Sequence, residues 1–582
     1  MAAYQRDEAL GWAYNADKET TTVASTTTAA PTIKRSSMDE TTDALTGMII
    51  ASPKKQRTAA DGVAVAGYSP ELSKALKSVV KIFTTMASPN FSSPWQMCQQ
   101  TKCTATGFVI APLSSRRILT NAHAVANQVA VKIRKHGSAQ RYTARVLAVG
   151  HECDIAMLTV DDDEFWADMV PLEINGLPAM QESVMVVGFP TGGDNVCVTK
   201  GVVSRIDRST YSHGRTTLLA IQVDAAINSG NSGGPVILGD HVVGIAFQCL
   251  TSGENIGYII PVPVINHFLE DLERHDGKYT GFCELGISWQ SLENEGMREV
   301  LGMPKPLTGV FITKTEPLFN ASRQLLAGDV LTHFNGVPIA DDGTFLFREA
   351  VRINFGHLVS QAFNGDVATL KVWRDGQHVE LPVQLSTPHQ LVPVHSHDLK
   401  PHYFIYGGLV FTPLTCWYLR SVYGADWSCK APIKLVEKAF AASKRDSQEE
   451  VVVLSKVLAA DINSGYQDTG NIQVLKVNGQ RVVNLAHLAH LVSTCSDKFV
   501  RFDLEWNKVI YIAHDKATKM LPDILEQNSI PAAHSKGLLD MPHPGNSPQQ
   551  QQQDSSMQVD GGSSDSEVSS DEDAAVVAAS KL

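Results

Sequence analysis

The stretch "DAAINSGNSGGPVI", residues 224–237, surrounds Ser232 with Gly230, Gly233 and Gly234 just ahead of an apolar run. A nucleophilic serine needs room for a tetrahedral adduct and backbone N–H groups aimed at the developing oxyanion, and glycines let the backbone come that close. The N–H groups of Gly230 and Ser232 stand where such a hole would form. A serine of this kind is inert without a base. His123, in "RRILTNAHAVANQV", follows a strand-like Ile-Leu-Thr and has small apolar neighbours that leave space beside the imidazole. By contrast, His136, His213, His241 and His275 sit in polar turns or at strand ends and read as surface residues.

The third role needs a buried carboxylate that orients the imidazole and stabilises it once protonated. In "HECDIAMLTVDDD", Asp154 stands at the entrance of an apolar strand, whereas Asp161, Asp162 and Asp163 cluster beyond its far end and read as solvated. The order His123, Asp154, Ser232 is that of the chymotrypsin-type double β-barrel, not of subtilisin or the α/β-hydrolases. In trypsin-like pockets an acid six residues before the nucleophile pairs with Lys or Arg. Here that position is Ala226, beside Ala225 and Ile227. Ala226, Ile227 and Phe247 are therefore the expected lining of an uncharged specificity pocket, suited to small or medium aliphatic side chains.

Composition narrows the classes. The 582 residues suffice for three or four domains, and 43% apolar content is that of globular material. The net charge of -12 argues against a phosphate-binding surface over the whole protein, so no nucleic-acid partner is expected. From Asp554 onward seven acids face the single Lys581, so the tail holds about half of that charge. Nine scattered cysteines without a C-x-x-C pair form neither a disulfide framework nor a zinc site, and a reducing intracellular compartment is expected. No metal or cofactor is expected, since no G-x-x-x-x-G-K-[ST] pattern occurs either. The most apolar stretch, "YFIYGGLVFTPLTCWYL", is interrupted by glycines, a proline and threonines and reads as buried strands, not a membrane span. Acids at Asp7, Glu8, Asp17 and Glu19 argue against a signal or transit peptide.

The organisation expected is mainly β with low-complexity tails. Residues 1–70 form a Thr/Ala/Ser-rich disordered arm, which includes a weak basic stretch "SPKKQR". Residues 71–277 form the barrel domain, whose "PVILGDHVVGIAF" reads as a tight hairpin about Gly239-Asp240 and whose "PVPVINHFLEDLERH" reads as a closing helix. Blocks 278–390 and 391–540 echo each other: "LLAGDVLTHFNGVPI" and "GNIQVLKVNGQRV" each place Asn-Gly between apolar runs. Residues 541–582 form a disordered acidic tail ending in Ser580-Lys581-Leu582, the form of a peroxisomal import address.

"TNAHAV", "CDIAML", "NSGNSGGPV" and "NIGYIIPV" resemble the protease domain of the Do-like (high-temperature-requirement A) serine proteases, with three motifs in order within about 110 residues. "LLAGDVLTHFNGVPI" resembles the core of a PDZ domain, with "ELGISW" supplying Leu285, Gly286 and Ile287 as its carboxylate-binding loop. "YFIYGGLVFTPLT" and "DINSGYQDTGNIQVLKVNGQRVVNL" are similar to the C-terminal half of plant-type members, closest to the nuclear protease Do-like 9 branch. The resemblance implies a chymotrypsin-type double β-barrel protease domain followed by two PDZ-like α+β domains, the second divergent. It further implies an ATP-independent endopeptidase acting on unfolded or damaged proteins and peptide C-termini, assembled as homotrimers or hexamers. The alternative is a proteolytically silent peptide-binding scaffold, which a complete triad disfavours. One departure is "CTATGFVI", where the family has Gly-Ser-Gly, a change expected to leave the triad untouched. The address favours the peroxisome, and the resemblance the nucleus or cytosol.

Overall fold

The computed structural model describes residues 68–249 and 256–544. The tails, with "SPKKQR" and Ser580-Lys581-Leu582, lie outside them. Twelve strands close two six-stranded barrels. The first contains β1 (Val79–Met86), β2 (Thr101–Val109), β3 (Ile118–Thr120), β4 (Gln128–Lys135), β5 (Tyr142–Gly150) and β6 (Ile155–Val160). The second contains β7 (Ser183–Gly188), β8 (Cys197–Thr210), β9 (Thr217–Val223), β10 (Pro235–Leu238), β11 (His241–Cys249) and β12 (Gly257–Pro261). Gly239, at φ 62°, and Asp240 form the tight connection between β10 and β11, and the helix Val262–Arg274 follows β12 as its sequence predicts.

The strands that carry the candidate site are buried on both faces. Along β6, Ala156 and Leu158 point into the first barrel, while Ile155 and Met157 join the core shared with the second. The same alternation places Ile118 inward and Leu119 outward on β3, and Val109 inward and Phe108 outward on β2. Side chains alternate along a strand, so double burial turns the usual in/out pattern into a continuous apolar run such as "IAMLTV". Each such aliphatic side chain contributes about 1.5–3 kcal/mol by leaving water, which makes the seam between barrels a rigid base for the loops above it.

The next block pairs Ile287–Gln290, Val310–Thr315, Val330–Phe334, Val367–Arg374 and Gln377–Gln384 in one antiparallel sheet. The last block orders Phe404–Tyr406, Leu409–Pro413, Val452–Val457, Ile472–Val477, Phe499–Leu504 and Val509–Ala513 likewise. The stretch 403–419 thus holds two strands and the start of the helix Cys416–Tyr423, within the block. The echo read in the sequence is structural. Asn335-Gly336 and Asn478-Gly479 turn with positive φ at both residues, 47° and 79° against 46° and 84°. In both, the asparagine N–H donates to a facing carbonyl (Thr369 at 2.8 Å, Arg501 at 2.9 Å). Its side-chain oxygen accepts that residue's N–H at 2.7 Å in each case.

Both blocks pack on the barrels. His267, on the closing helix, is stacked between Phe282 and Phe363 at 4.2 and 4.4 Å. The 87–100 segment of the first barrel stacks Phe91 on Trp417 and sets Trp95 edge-on to Tyr403, and Lys456 Nζ donates to Ser93 Oγ at 2.8 Å. The last block therefore reaches the barrel that carries His123 and Asp154.

Candidate active site

β3 and β6 are antiparallel neighbours with Thr120 opposite Ala156, so the residues after β3 and before β6 meet at one end of the pair. That register brings His123 to Asp154. The Asp154 Oδ2 accepts from His123 Nδ1 at 2.7 Å, and Oδ1 accepts the His123 backbone N–H at 2.9 Å. Its carbonyl accepts from Asn121 Nδ2 at 2.9 Å. Asp154 is buried, at 1% exposure, and holds φ at 53°, a left-handed conformation that short polar side chains tolerate. With Nδ1–H directed at the carboxylate, Nε2 is left as the basic nitrogen. Burial acts to lower the His123 pKa, but the Asp154 carboxylate outweighs it and the net shift is upward. Burial acts to raise Asp154, and the facing imidazole outweighs that to hold it below the usual range. Asp161, Asp162 and Asp163 are exposed, as their position predicts.

Ser232 stands ahead of β10 in the other barrel. Thr106 N–H donates to the Ser232 carbonyl at 2.9 Å, tying the serine loop across the seam. Ser232 Oγ donates to the Phe247 carbonyl at 3.4 Å, a long bond that a bound substrate can replace. The carbonyl of Ser229 accepts Thr191 N–H at 2.7 Å, and that of Asn231 accepts Gly234 N–H at 2.9 Å. A trans peptide directs its N–H opposite to its C=O, so these anchors turn the N–H groups of Gly230 and Ser232 the other way. Among the described residues neither has an acceptor within the chain. Gly230 is required here: φ is +96°, and a Cβ would fall 2.5 Å from the Phe189 carbonyl.

Thr106 belongs to "CTATGFVI", the stretch that departs from the family pattern, and packs beside the serine loop. Its hydroxyl donates to the Gly230 carbonyl at 2.7 Å and accepts Phe189 N–H at 2.8 Å, so it helps set the loop around Ser232. Ala226 is exposed, with its carbonyl accepting Thr199 Oγ1 at 3.0 Å. The Ile227 and Phe247 side chains are 5% and 4% exposed and belong to the barrel core, Phe247 lying 4.5 Å from the Tyr211 ring. In the first PDZ-like block, Leu285 is buried, Gly286 has φ 63° and Ile287 opens the strand opposite Thr315.

The reading of His213 as a surface residue is corrected. Its ring lies 6.2 Å from that of His123, and burial pushes it down to about 4. Gly214 allows this approach, because a Cβ there would sit 2.4 Å from the His151 carbonyl.

Comparison with known proteins matches two domain families to this chain. The trypsin-like peptidase domain family matches residues 105–245, and the PDZ domain family matches residues 392–537, the block that reads as the divergent one. Over 464 residues the chain is 46% identical to "Putative protease Do-like 3, mitochondrial" of Arabidopsis thaliana, covering 80% of each. The chain belongs to the Do-like serine proteases. It is 44% identical over 481 residues to "Protease Do-like 4, mitochondrial" of the same plant, covering 82% of this chain and 88% of that one. The solved "HtrA-type protease AlgW with decapeptide" aligns with 55% of this chain and 99% of its own, at 23% identity and a TM-score of 0.43. The protease is thus a serine endopeptidase that carries PDZ domains, and the silent-scaffold alternative is not favoured.

Proposed function

We propose that the protease cleaves unfolded or damaged proteins without ATP, through Ser232 as nucleophile, His123 as base and Asp154 as its orienting carboxylate. The observation that carries this is the 2.7 Å contact of His123 Nδ1 with Asp154 Oδ2, in a chain whose Gly230 and Ser232 N–H groups have no acceptor of their own among the described residues. Ser232 Oγ attacks the scissile carbonyl while His123 Nε2 takes its proton, and the oxyanion accepts from Gly230 and Ser232 N–H. The protonated His123 then gives that proton to the leaving amine, and water, deprotonated in turn by His123, releases the acyl-enzyme.

The domain limits stated above belong to this proposal. So do peptide C-terminus recognition by Leu285, Gly286 and Ile287, and placement in the Do-like 9 branch, which rests on the quoted motifs. We also assign the protease to homotrimers or hexamers, since closed symmetry hides sites from folded proteins. An uncharged pocket about Ala226, walled by the Ile227 and Phe247 segments, selects small or medium aliphatic residues. Sizing the purified protein and mapping its cuts in an unfolded substrate by mass spectrometry tests both. A trimer or hexamer cutting after residues such as Val, Ala and Leu is expected. A monomer, or cuts dominated by Lys and Arg, contradicts the assignment.

Among the described residues no helix is long and apolar enough to cross a membrane. Peroxisomal delivery through Ser580-Lys581-Leu582 is proposed, with the nucleus or cytosol as the alternative, while the relatives named above are designated mitochondrial. A reporter carrying the last 12 residues is expected to enter peroxisomes at least in part. A diffuse, nuclear or mitochondrial reporter makes the tripeptide coincidence.

A further inference from the structure

The sequence, with its cysteines scattered, gave no expectation of a metal. The fold, however, gathers three histidines from distant segments. His151 lies in the turn between β5 and β6, three residues before Asp154, His213 in the turn between β8 and β9, and His395 in the segment leading to the last block. One nitrogen from each ring lies within 4.8 Å of the other two. We propose that these three imidazoles bind a divalent transition-metal ion, with Zn²⁺ the natural fit, and so pin the last block to the barrels beside the His123–Asp154 pair.

Three features point to a ligand. First, His151 Nδ1 and His213 Nε2 are 2.9 Å apart, near the roughly 3.3 Å edge of a tetrahedron whose metal–nitrogen bonds are about 2.0–2.1 Å. Second, His395 is 8% exposed, its Nδ1 accepts His397 N–H at 2.9 Å, and its Nε2 is buried with no hydrogen-bond partner. Third, His151 Nε2 faces Asp398 Oδ2 at 3.6 Å, and the other oxygen of Asp398 accepts Asn127 N–H at 2.9 Å. A carboxylate behind a ligating imidazole is the arrangement that fixes its tautomer and raises its basicity.

The protons balance without loss to solvent. His151 holds its proton on Nε2, toward Asp398, so the 2.9 Å contact is a hydrogen bond donated by His213 Nε2–H, and His213 moves that proton to Nδ1 as the ion binds, which frees both facing nitrogens. His395 moves its proton from Nε2 to Nδ1, so the contact with His397 N–H gives way. That release lets the ring turn, as it must, because the His151 and His395 rings stack at 3.8 Å with planes 20° apart and their lone pairs do not yet converge. Water takes the fourth position. The imidazole set suits Zn²⁺, Co²⁺ or Cu²⁺ better than the oxygen-seeking Mg²⁺ or Ca²⁺.

Titration of the full-length protein with Co²⁺ tests the site through visible absorption, a readout separate from proteolysis. One equivalent giving an intense four-coordinate spectrum, displaced by Zn²⁺, is expected. His213→Gln and His395→Gln, one on each side of the junction, should each abolish that spectrum, while Asp398→Asn should weaken binding about 10–100-fold. His123→Ala should retain it. Absence of the spectrum in the unaltered protein overturns the proposal. So does a spectrum that survives both glutamine substitutions, or one that His123→Ala removes.

Discussion

Ser232→Ala is expected to reduce cleavage of an unfolded substrate by about 10⁶, the scale on which loss of the nucleophile acts in an analogous triad. The fold should survive, because Ser232 contributes to the loop through its backbone. Its carbonyl accepts Thr106 N–H, and its hydroxyl makes only the 3.4 Å bond to the Phe247 carbonyl. Unfolding transitions of the variant and the unaltered protein should therefore nearly coincide. Retained cleavage in a verified Ser232→Ala preparation would remove Ser232 from the mechanism.

Asp154→Asn should cost about 10⁴ in turnover, and the reason is tautomeric. Both carboxylate oxygens accept N–H groups of His123, one from the ring and one from the backbone. An amide has one oxygen. If that oxygen keeps the backbone N–H, the NH₂ faces Nδ1 and forces it to accept, which moves the ring proton to Nε2 and removes the base. The pH profile carries the same information. His123 must be neutral to act, and its pKa is raised above the ordinary 6.5, with burial opposing and Asp154 prevailing. Activity of the unaltered enzyme should thus rise with pH through an apparent pKa above 6.5. In the variant burial remains and the carboxylate is gone, so the residual activity should rise at lower pH. A turnover near that of the unaltered enzyme would assign the role to another carboxylate.

The His123–Asp154 pair was legible because each residue stands beside its own strand and the register does the rest. "ILT" ends at Thr120, "IAMLTV" begins at Ile155, and the pairing of Thr120 with Ala156 closes the gap between His123 and Asp154. The Asn-Gly turns were legible for the same local reason, since positive φ at consecutive residues restricts the choice of residue. Thr106 was not, because its role consists of bonds to Phe189 and Gly230, 83 and 124 residues away. Nor was His213. "YSHGR" has the composition of an exposed turn, and its partners His151 and His395 arrive from 62 residues before and 182 residues after it. Ile227 and Phe247 read as pocket lining from the sequence, but the loop before β10 and the strand β11 bury their side chains in the barrel core. Sequence proximity to a nucleophile does not specify which face a side chain takes.

The nucleophile is tested most directly by treating the full-length protein with a fluorophosphonate, which captures an activated serine covalently, and locating the adduct by mass spectrometry. One adduct per chain, on Ser232 and absent after His123→Ala, is the predicted result. An adduct on a different residue, or undiminished proteolysis by protein carrying a stoichiometric adduct on Ser232, would contradict it.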